Sequence, residues 1–165
     1  KEALASEPFK CFIDVDNAAF ETAGNLPRRV KEFCERTGQY VPKTRGEVMR
    51  CIYQSLAMKY KYTFNMLSKL GDKKYSRINI LGGGIKDRLL CQMAADACNA
   101  EVLAGPSEAT VMGNIAVCFE ALGEIADFAG IRKVVSDSTE LKRYVPAEND
   151  LWEKAYADYI KILSV

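Results

Sequence analysis

Residues 78–92 read INILGGGIKDRLLCQ, and this stretch decides the fold. The apolar run over 77–81 predicts a buried strand, three glycines follow it, and a helix is predicted over 86–99. Because glycine has no Cβ, a ligand can approach its backbone closely, and helix amino ends present N–H groups that suit phosphate. Neither G-x-G-x-x-G nor a Walker A motif is present. The residues therefore leave two interpretations open, a tight turn and a nucleotide site.

A second glycine-bearing turn follows a second predicted strand. The strand is expected over 101–104 and ends at Gly105-Pro106, and a helix is predicted over 107–122 with Ser107 as its cap. Open α/β sheets bind ligands outside the carboxyl ends of their strands. Two such turns at neighbouring strand ends favour a nucleotide cleft.

The flanking sequence is mostly helical. The pattern Thr44-x-x-Glu47 is a capping box, and helical spacing of apolar residues predicts one long helix over 44–70. Further helices are expected from Pro27 to a stop at Gly38 and over 125–135 and 149–162, with an extended segment over 141–146. Residues 9–15 have the composition of a short strand.

Strands that alternate with helices predict an α/β fold with parallel strands and flanking helices. Two or three strands are too few to cover the apolar helix faces on offer, so the chain is expected to be part of something larger. The sheet would then have an exposed edge, which predicts self-association to a homo-dimer or a higher species.

Composition excludes several classes of function. The 165 residues carry a formal charge of +1, which argues against a nucleic-acid partner, and no apolar run is long enough to cross a membrane. No histidine is present, so neither a Ser-His-Asp nor a Cys-His catalytic set can form. No secretory leader is recognisable, and reduced, buried cysteines in a cytoplasmic protein are expected. A disulfide framework and an all-cysteine metal site are the alternatives for the six cysteines at 11, 34, 51, 91, 98 and 118.

Residues 78–117 resemble the C-terminal domain of the FGGY carbohydrate kinases. The shared features are the GGG turn, a helix with L-x-x-Q-x-x-AD, a strand, and a helix with EA-x-x-x-GN. The sequence AGPSEATVMGN at 104–114 is most similar to the rhamnulokinase branch of the family. The resemblance extends over about residues 9–165. This resemblance implies an actin-like (ribonuclease H-like) domain that binds ATP with Mg²⁺ and a sugar in a cleft with an N-terminal domain.

The same resemblance implies that Gly82, Gly83 and Gly84 line the nucleotide, near its α-phosphate and ribose. Asp87 stands where the family often has an adenine-contacting Asn. An aspartate can accept a hydrogen bond from the adenine amine but has no donor for N7. Its negative charge lies near a polyanion, so either nucleotide affinity is lower or Lys86 and Arg88 compensate. No residue here matches the family's catalytic aspartate, Asp14 and Asp16 included, so the chain alone is expected to be inactive.

The resemblance leaves the exact role of the chain open. The expected function is the nucleotide side of a kinase that phosphorylates L-rhamnulose to L-rhamnulose 1-phosphate. Xylulose, fuculose or glycerol kinase is the alternative, as is a non-catalytic nucleotide-binding module or a module that complements another chain.

Overall fold

A computed structural model describes residues 1–147 and 150–163. Within those ranges the chain forms helices α1 (Glu2–Ala5), α2 (Leu26–Arg36), α3 (Arg45–Leu70), α4 (Arg88–Cys98), α5 (Ala109–Ala121), α6 (Phe128–Asp137) and α7 (Asp150–Ile162), and strands β1 (Arg77–Ile80), β2 (Glu101–Ala104) and β3 (Lys142–Tyr144). Short 3-10 turns lie at Ala18–Phe20 and Gly82–Lys86. Among the described helices, none has the length and apolar character that crossing a bilayer requires.

The long helix α3 begins as its sequence predicts. The Thr44 side chain accepts a hydrogen bond from the N–H of Glu47 (3.2 Å), and the Glu47 carboxylate accepts one from the N–H of Thr44 (3.0 Å). Each bond satisfies an N–H that has no partner inside the helix, so the start of α3 is fixed locally. The helix ends at Gly71 and packs mainly on α4.

The sheet is mixed, which corrects the expectation of parallel strands. Its order is β1-β2-β3; β1 and β2 are parallel, with Ile80 opposite Ala104, as predicted. Strand β3 lies in the segment expected only to be extended, and it runs antiparallel to β2, with Tyr144 opposite Val102. A short connection from α6 returns the chain at the carboxyl end of β2, and antiparallel pairing needs no crossover helix.

Residues 9–15 form no strand, contrary to the strand-like composition, although Cys11, Phe12 and Ile13 are buried. The N–H of Phe12 donates to the Gln39 side chain (2.8 Å), and that of Ile13 donates to the Ser55 hydroxyl (2.9 Å). Side chains of α3 and of the α2–α3 loop thus supply the partners that a neighbouring strand would supply.

Several predicted boundaries shift by a few residues. Helix α4 begins at Arg88 because the preceding residues form a 3-10 turn, and Glu108 replaces the expected Ser107 at the cap of α5. The helix predicted over 125–135 begins after Asp127, whose side chain accepts from the N–H of Gly130. Helix α7 confirms the last prediction from residue 150, and its expected first residue, Asn149, lies outside the described residues.

Two hydrophobic clusters hold these elements together. The larger joins residues 9–15, α2, α3, α7 and one face of α4 around side chains that are almost fully buried, among them Ile13, Val30, Met58 and Tyr159. The smaller lies between α4 and the sheet, and its members are Ile80, Cys91, Ala94, Ala95, Val102 and Ala104. Five of the six cysteines are buried free thiols, as expected, whereas Cys118 is exposed on α5.

Candidate nucleotide-binding site

The two glycine-bearing turns meet at one edge of the sheet. Because β1 and β2 are parallel and in register, their carboxyl ends coincide. The N–H of Gly82 donates to the carbonyl of Pro106 (3.0 Å), and the N–H of Gly105 donates to the carbonyl of Ile80 (2.9 Å). These two bonds fix the GGG turn against the second turn.

The structure requires glycine at only some of the three positions in the first turn. Gly82 has a φ of +74°, a conformation that residues with a Cβ rarely adopt. A Cβ on Gly84 would meet the Ile80 side chain at 3.6 Å, which is ordinary contact. Gly83 is exposed, has no positive φ, and a Cβ there would meet nothing within 4 Å. Contacts among the described residues therefore do not require glycine at 83, whereas close approach by a ligand would.

Asp87 is held by two hydrogen bonds at the start of α4. One carboxylate oxygen accepts from the N–H of Leu90 (3.1 Å), and the other accepts from the hydroxyl of Tyr53 on α3. The bond to Asp87 raises the pKa of Tyr53, so the phenol stays protonated and donating. Each carboxylate oxygen keeps a lone pair for a further donor. Tyr53 is 34 residues away, and nothing in the local pattern pointed to it.

A crevice of about 530 Å³ lies beside the two turns. Its volume is that of a typical small-molecule site. The turns contribute Leu81, Gly105 and Pro106, and α6 contributes Phe128 and Ile131. The predicted binding residues Gly82, Gly83, Gly84 and Asp87 are not among its lining residues. The α6 residues could not be predicted from the sequence, because helical periodicity does not show which neighbour a helix faces.

Other polar residues of the motif have structural partners. Gln92 donates to the Asp96 carboxylate and to the carbonyl of Val145 (2.8 Å each), and Asp96 also accepts from the N–H of Ala147 (2.9 Å). The L-x-x-Q-x-x-AD pattern thus ties α4 to the segment after β3.

The two aspartates near the amino end also have structural roles. Asp16 forms an ion pair with Lys59 of α3 (2.6 Å), and Asp14 accepts from the N–H of Asp16 (3.2 Å). These contacts bind the segment to α3, and neither carboxylate lines the crevice.

The chain thus has an α/β fold in which two glycine-bearing turns lie together at parallel strand ends beside an open crevice. The model of the FGGY family of carbohydrate kinases, C-terminal domain, matches residues 1–122. The chain belongs to that family.

Two of the relatives that are similar in sequence are rhamnulokinases. The chain is 37% identical over 158 residues to a rhamnulokinase of Bacteroides thetaiotaomicron, covering 96% of this chain and 33% of the relative. It is 37% identical over 142 residues to a rhamnulokinase of Halalkalibacterium halodurans, covering 86% and 30%. The chain therefore spans about a third of the length of these relatives.

A solved structure supports the fold. The crystal structure of a xylulose kinase from Rhodospirillum rubrum superposes with a TM-score of 0.57 at 19% identity, over 77% of this chain and 26% of that one. At this identity the likeness concerns the fold alone. The resemblance found in the sequence is confirmed at family level.

Proposed function

We propose that this chain is the nucleotide-binding C-terminal part of an ATP-dependent sugar kinase. The observation that carries the proposal is the meeting of the GGG turn and the Gly105-Pro106 turn at the carboxyl ends of two parallel strands. In this account the backbone of the GGG turn lies against the nucleotide near its α-phosphate and ribose. Asp87, held by Tyr53, accepts a hydrogen bond from the adenine amine.

We propose L-rhamnulose as the sugar, because the relatives described above are named rhamnulokinases. In the full-length enzyme a hydroxyl oxygen of the sugar would bond to the γ-phosphorus, and the bond to the ADP oxygen would break. The hydroxyl proton would pass to a base outside this chain. Catalysis of this type depends on positioning and on charge neutralisation, and both need the other domain.

Mg²⁺ is proposed to enter with ATP rather than to be held here. Magnesium takes oxygen ligands. Across 1–147 and 150–163, the one group of three potential metal-binding side chains consists of thiols, Cys11, Cys34 and Cys51. The ATP phosphates and the proposed N-terminal kinase domain would supply the oxygens instead.

The open edges of the sheet define the proposed partner surface. In the order β1-β2-β3, both outer strands have an edge without a strand partner among the described residues. We propose that the N-terminal part of the kinase completes the β1 edge, and that the isolated chain self-associates there. Sedimentation velocity tests this: a dimer or larger species is expected, and a clean monomer at high concentration would contradict it. A cytoplasmic, reducing location is consistent with the buried free thiols.

Calorimetric titration of full-length kinase with ADP tests the site. Gly83→Val projects its side chain into open space, so the variant should fold and still lose at least about tenfold in ADP affinity through steric exclusion. Gly83→Ala should lose less. Thr63→Val, an exposed change on α3, is the control and should bind ADP normally. Unchanged ADP binding by Gly83→Val would overturn the proposed site.

The sugar is tested by ADP release from the full-length enzyme. L-Rhamnulose is expected to give the highest kcat/KM, with xylulose, fuculose and glycerol as competitors, and the 165-residue chain alone should release no ADP. A higher value for another sugar would assign that sugar instead. ADP binding by the isolated chain would favour the alternative of a nucleotide-binding module.

A further inference from the structure

Three cysteine thiols converge inside the larger hydrophobic cluster. The sulphur atoms of Cys11, Cys34 and Cys51 all lie within 4.8 Å of one another. Cys34 is completely buried, and Cys11 and Cys51 are nearly so. They come from three separate elements, the extended segment 9–15, α2 and α3, so the fold rather than a local motif brings them together. The proposed kinase function does not use them.

The spacing of the sulphurs suits a bound ion. Metal–thiolate bonds of roughly 2.3 Å place sulphurs in one coordination sphere about 4 Å apart. The three sulphurs would therefore need to move by less than about 1 Å to share one ion, a side-chain adjustment rather than a rearrangement of helices. Free cysteines also occur elsewhere in the core, at Cys91 and Cys98, but these are not part of the cluster.

A small cavity beside the cluster is lined by charged side chains of both signs. Its volume is about 10 Å³, the size of one water molecule, and Cys11 and Cys51 line it together with Lys10, Arg50, Glu7 and Glu47. Lys10 pairs with Glu7 (3.0 Å), whereas the Nε of Arg50 is buried without a hydrogen-bond partner among the described residues. Arg50 is therefore a cation that can offset the charge of the sulphurs, and exposed Lys10 gives the cavity a route to the surface.

Within the described residues, no fourth cysteine, aspartate or glutamate joins the three thiols at this spacing. The nearby carboxylate of Glu47 already accepts from the Tyr40 hydroxyl and from the N–H groups of Lys43 and Thr44. Zinc in structural sites takes four ligands, and magnesium and calcium take oxygens, whereas soft thiolate sets select Cu(I).

We propose that Cys11, Cys34 and Cys51 form a three-sulphur site for Cu(I), a soft monovalent ion. Binding forms three Cu–S bonds and releases to solvent one proton from each sulphur that was still a thiol. No sulphur–sulphur bond forms and no electron is transferred. The site would join residues 9–15, α2 and α3 through a single ion and so stabilise the larger cluster.

The test is an anaerobic titration of the reduced 165-residue chain with Cu(I), in competition with a chromophoric chelator. One equivalent should be retained, X-ray absorption should show three sulphur neighbours, and Tm should rise with that equivalent. Cys34→Ala and Cys51→Ala should each lower the affinity by roughly 10–100-fold and abolish the rise in Tm.

The other cysteines provide the controls. Cys118→Ser removes the exposed thiol, and Cys91→Ala removes a buried thiol outside the cluster. Both should retain one equivalent with unchanged affinity. Loss of Cu(I) to the chelator from the wild-type chain would overturn the proposal. Undiminished affinity in Cys34→Ala would overturn it too, because Cys34 would then not be a ligand. Loss of binding in Cys118→Ser would also overturn it, because Cu(I) would then be bound at the exposed thiol. Circular dichroism of each metal-free variant identifies any that fails to fold, and Cys34→Ser and Cys51→Ser then replace it.

Discussion

Two regions of the molecule bury their apolar residues very differently. The closed region comprises residues 9–15, α2, α3 and α7, and in it Ile13 is 3% exposed and Met58 is fully buried. The open region comprises α5, α6 and the sheet face of β1 and β2 that bears Asn79 and Leu103, and in it Ile115 is 52% exposed and Phe128 is 65% exposed. Exposed apolar residues that share a surface mark an interaction site. The closed region supplies its own core, and the open region needs surface from elsewhere.

The candidate nucleotide site lies in the open region. Helix α5 buries one residue, Ala116, and packs on α6 rather than on the sheet. The face of the sheet that carries Asn79 and Leu103 lines the open crevice. We infer that the rest of the proposed kinase covers α5 and extends the sheet at β1. This inference accords with relatives that are three times as long as the chain.

A matched isoleucine pair gives the largest expected difference between the regions. Ile13→Ala should lower the free energy of unfolding by about 2–5 kcal/mol, since it removes buried methyl groups and leaves a cavity. Ile115→Ala should lower it by less than about 1 kcal/mol, because half of that side chain is already in water. Urea denaturation measures both. Equal losses would mean that α5 has a core of its own and that the contrast is wrong.

Lys61 joins the closed region to α4. Its buried Nζ donates to the carbonyl of Ala97 (2.8 Å) and pairs with Glu153 of α7 (2.6 Å). Lys61→Ala should lower the free energy of unfolding by roughly 2 kcal/mol on urea denaturation, because hydrogen bonds from a charged donor contribute about that much.

Lys59→Ala is the matched control for Lys61. It removes a more exposed ion pair to Asp16 and should lower the free energy of unfolding by less than about 1 kcal/mol. A loss for Lys59→Ala as large as that for Lys61→Ala would show that burial does not set the value of these contacts.

The capping box gives a smaller effect at the start of α3. Thr44→Ala should lower the free energy of unfolding by about 1 kcal/mol, because the N–H of Glu47 loses its partner. Thr63→Ala, on the exposed side of the same helix, should be neutral or slightly stabilising, since alanine favours helices. Thermal unfolding of the two variants should separate them, and identical Tm values would argue against a stabilising cap.

The smallest expected effect is a gain in stability rather than a loss. The hydroxyl of Tyr159 is buried without a hydrogen-bond partner among the described residues, and burial raises its pKa, so it stays neutral. Tyr159→Phe therefore removes an unsatisfied group and should stabilise the chain by up to about 1 kcal/mol. A clear loss of stability on urea denaturation would show that the hydroxyl is satisfied in solution.

Local signals in the sequence predicted the long helix and both parallel strands. Thr44, Glu47 and Gly71 fix α3 through contacts within a few residues. Strand β3 was missed as a strand because its three residues are defined by pairing with β2, about 40 residues earlier. Residues 9–15 were ambiguous for a similar reason, since their partners Gln39 and Ser55 are remote in sequence.

The local parts of the candidate site could be predicted from the sequence, as the local elements of the fold could. The GGG turn and its neighbour were recognisable as glycine-rich strand ends. The role of Tyr53 in holding Asp87, and the α6 side of the crevice, depend on packing between distant elements. The sequence therefore predicts the candidate site, and the tertiary structure shows which remote residues lie beside it.

The contrast between the regions is tested most directly by hydrogen–deuterium exchange of the isolated chain and of the full-length kinase that we propose contains it. We expect amides of β1 and α5 to exchange at least about tenfold more slowly in the full-length protein, because added contacts raise the local free energy of opening. Amides of α2 and the first half of α3 should exchange at similar rates in both. Equal protection of β1 and α5 in the two proteins would contradict the account, because it would mean that nothing further covers the open region.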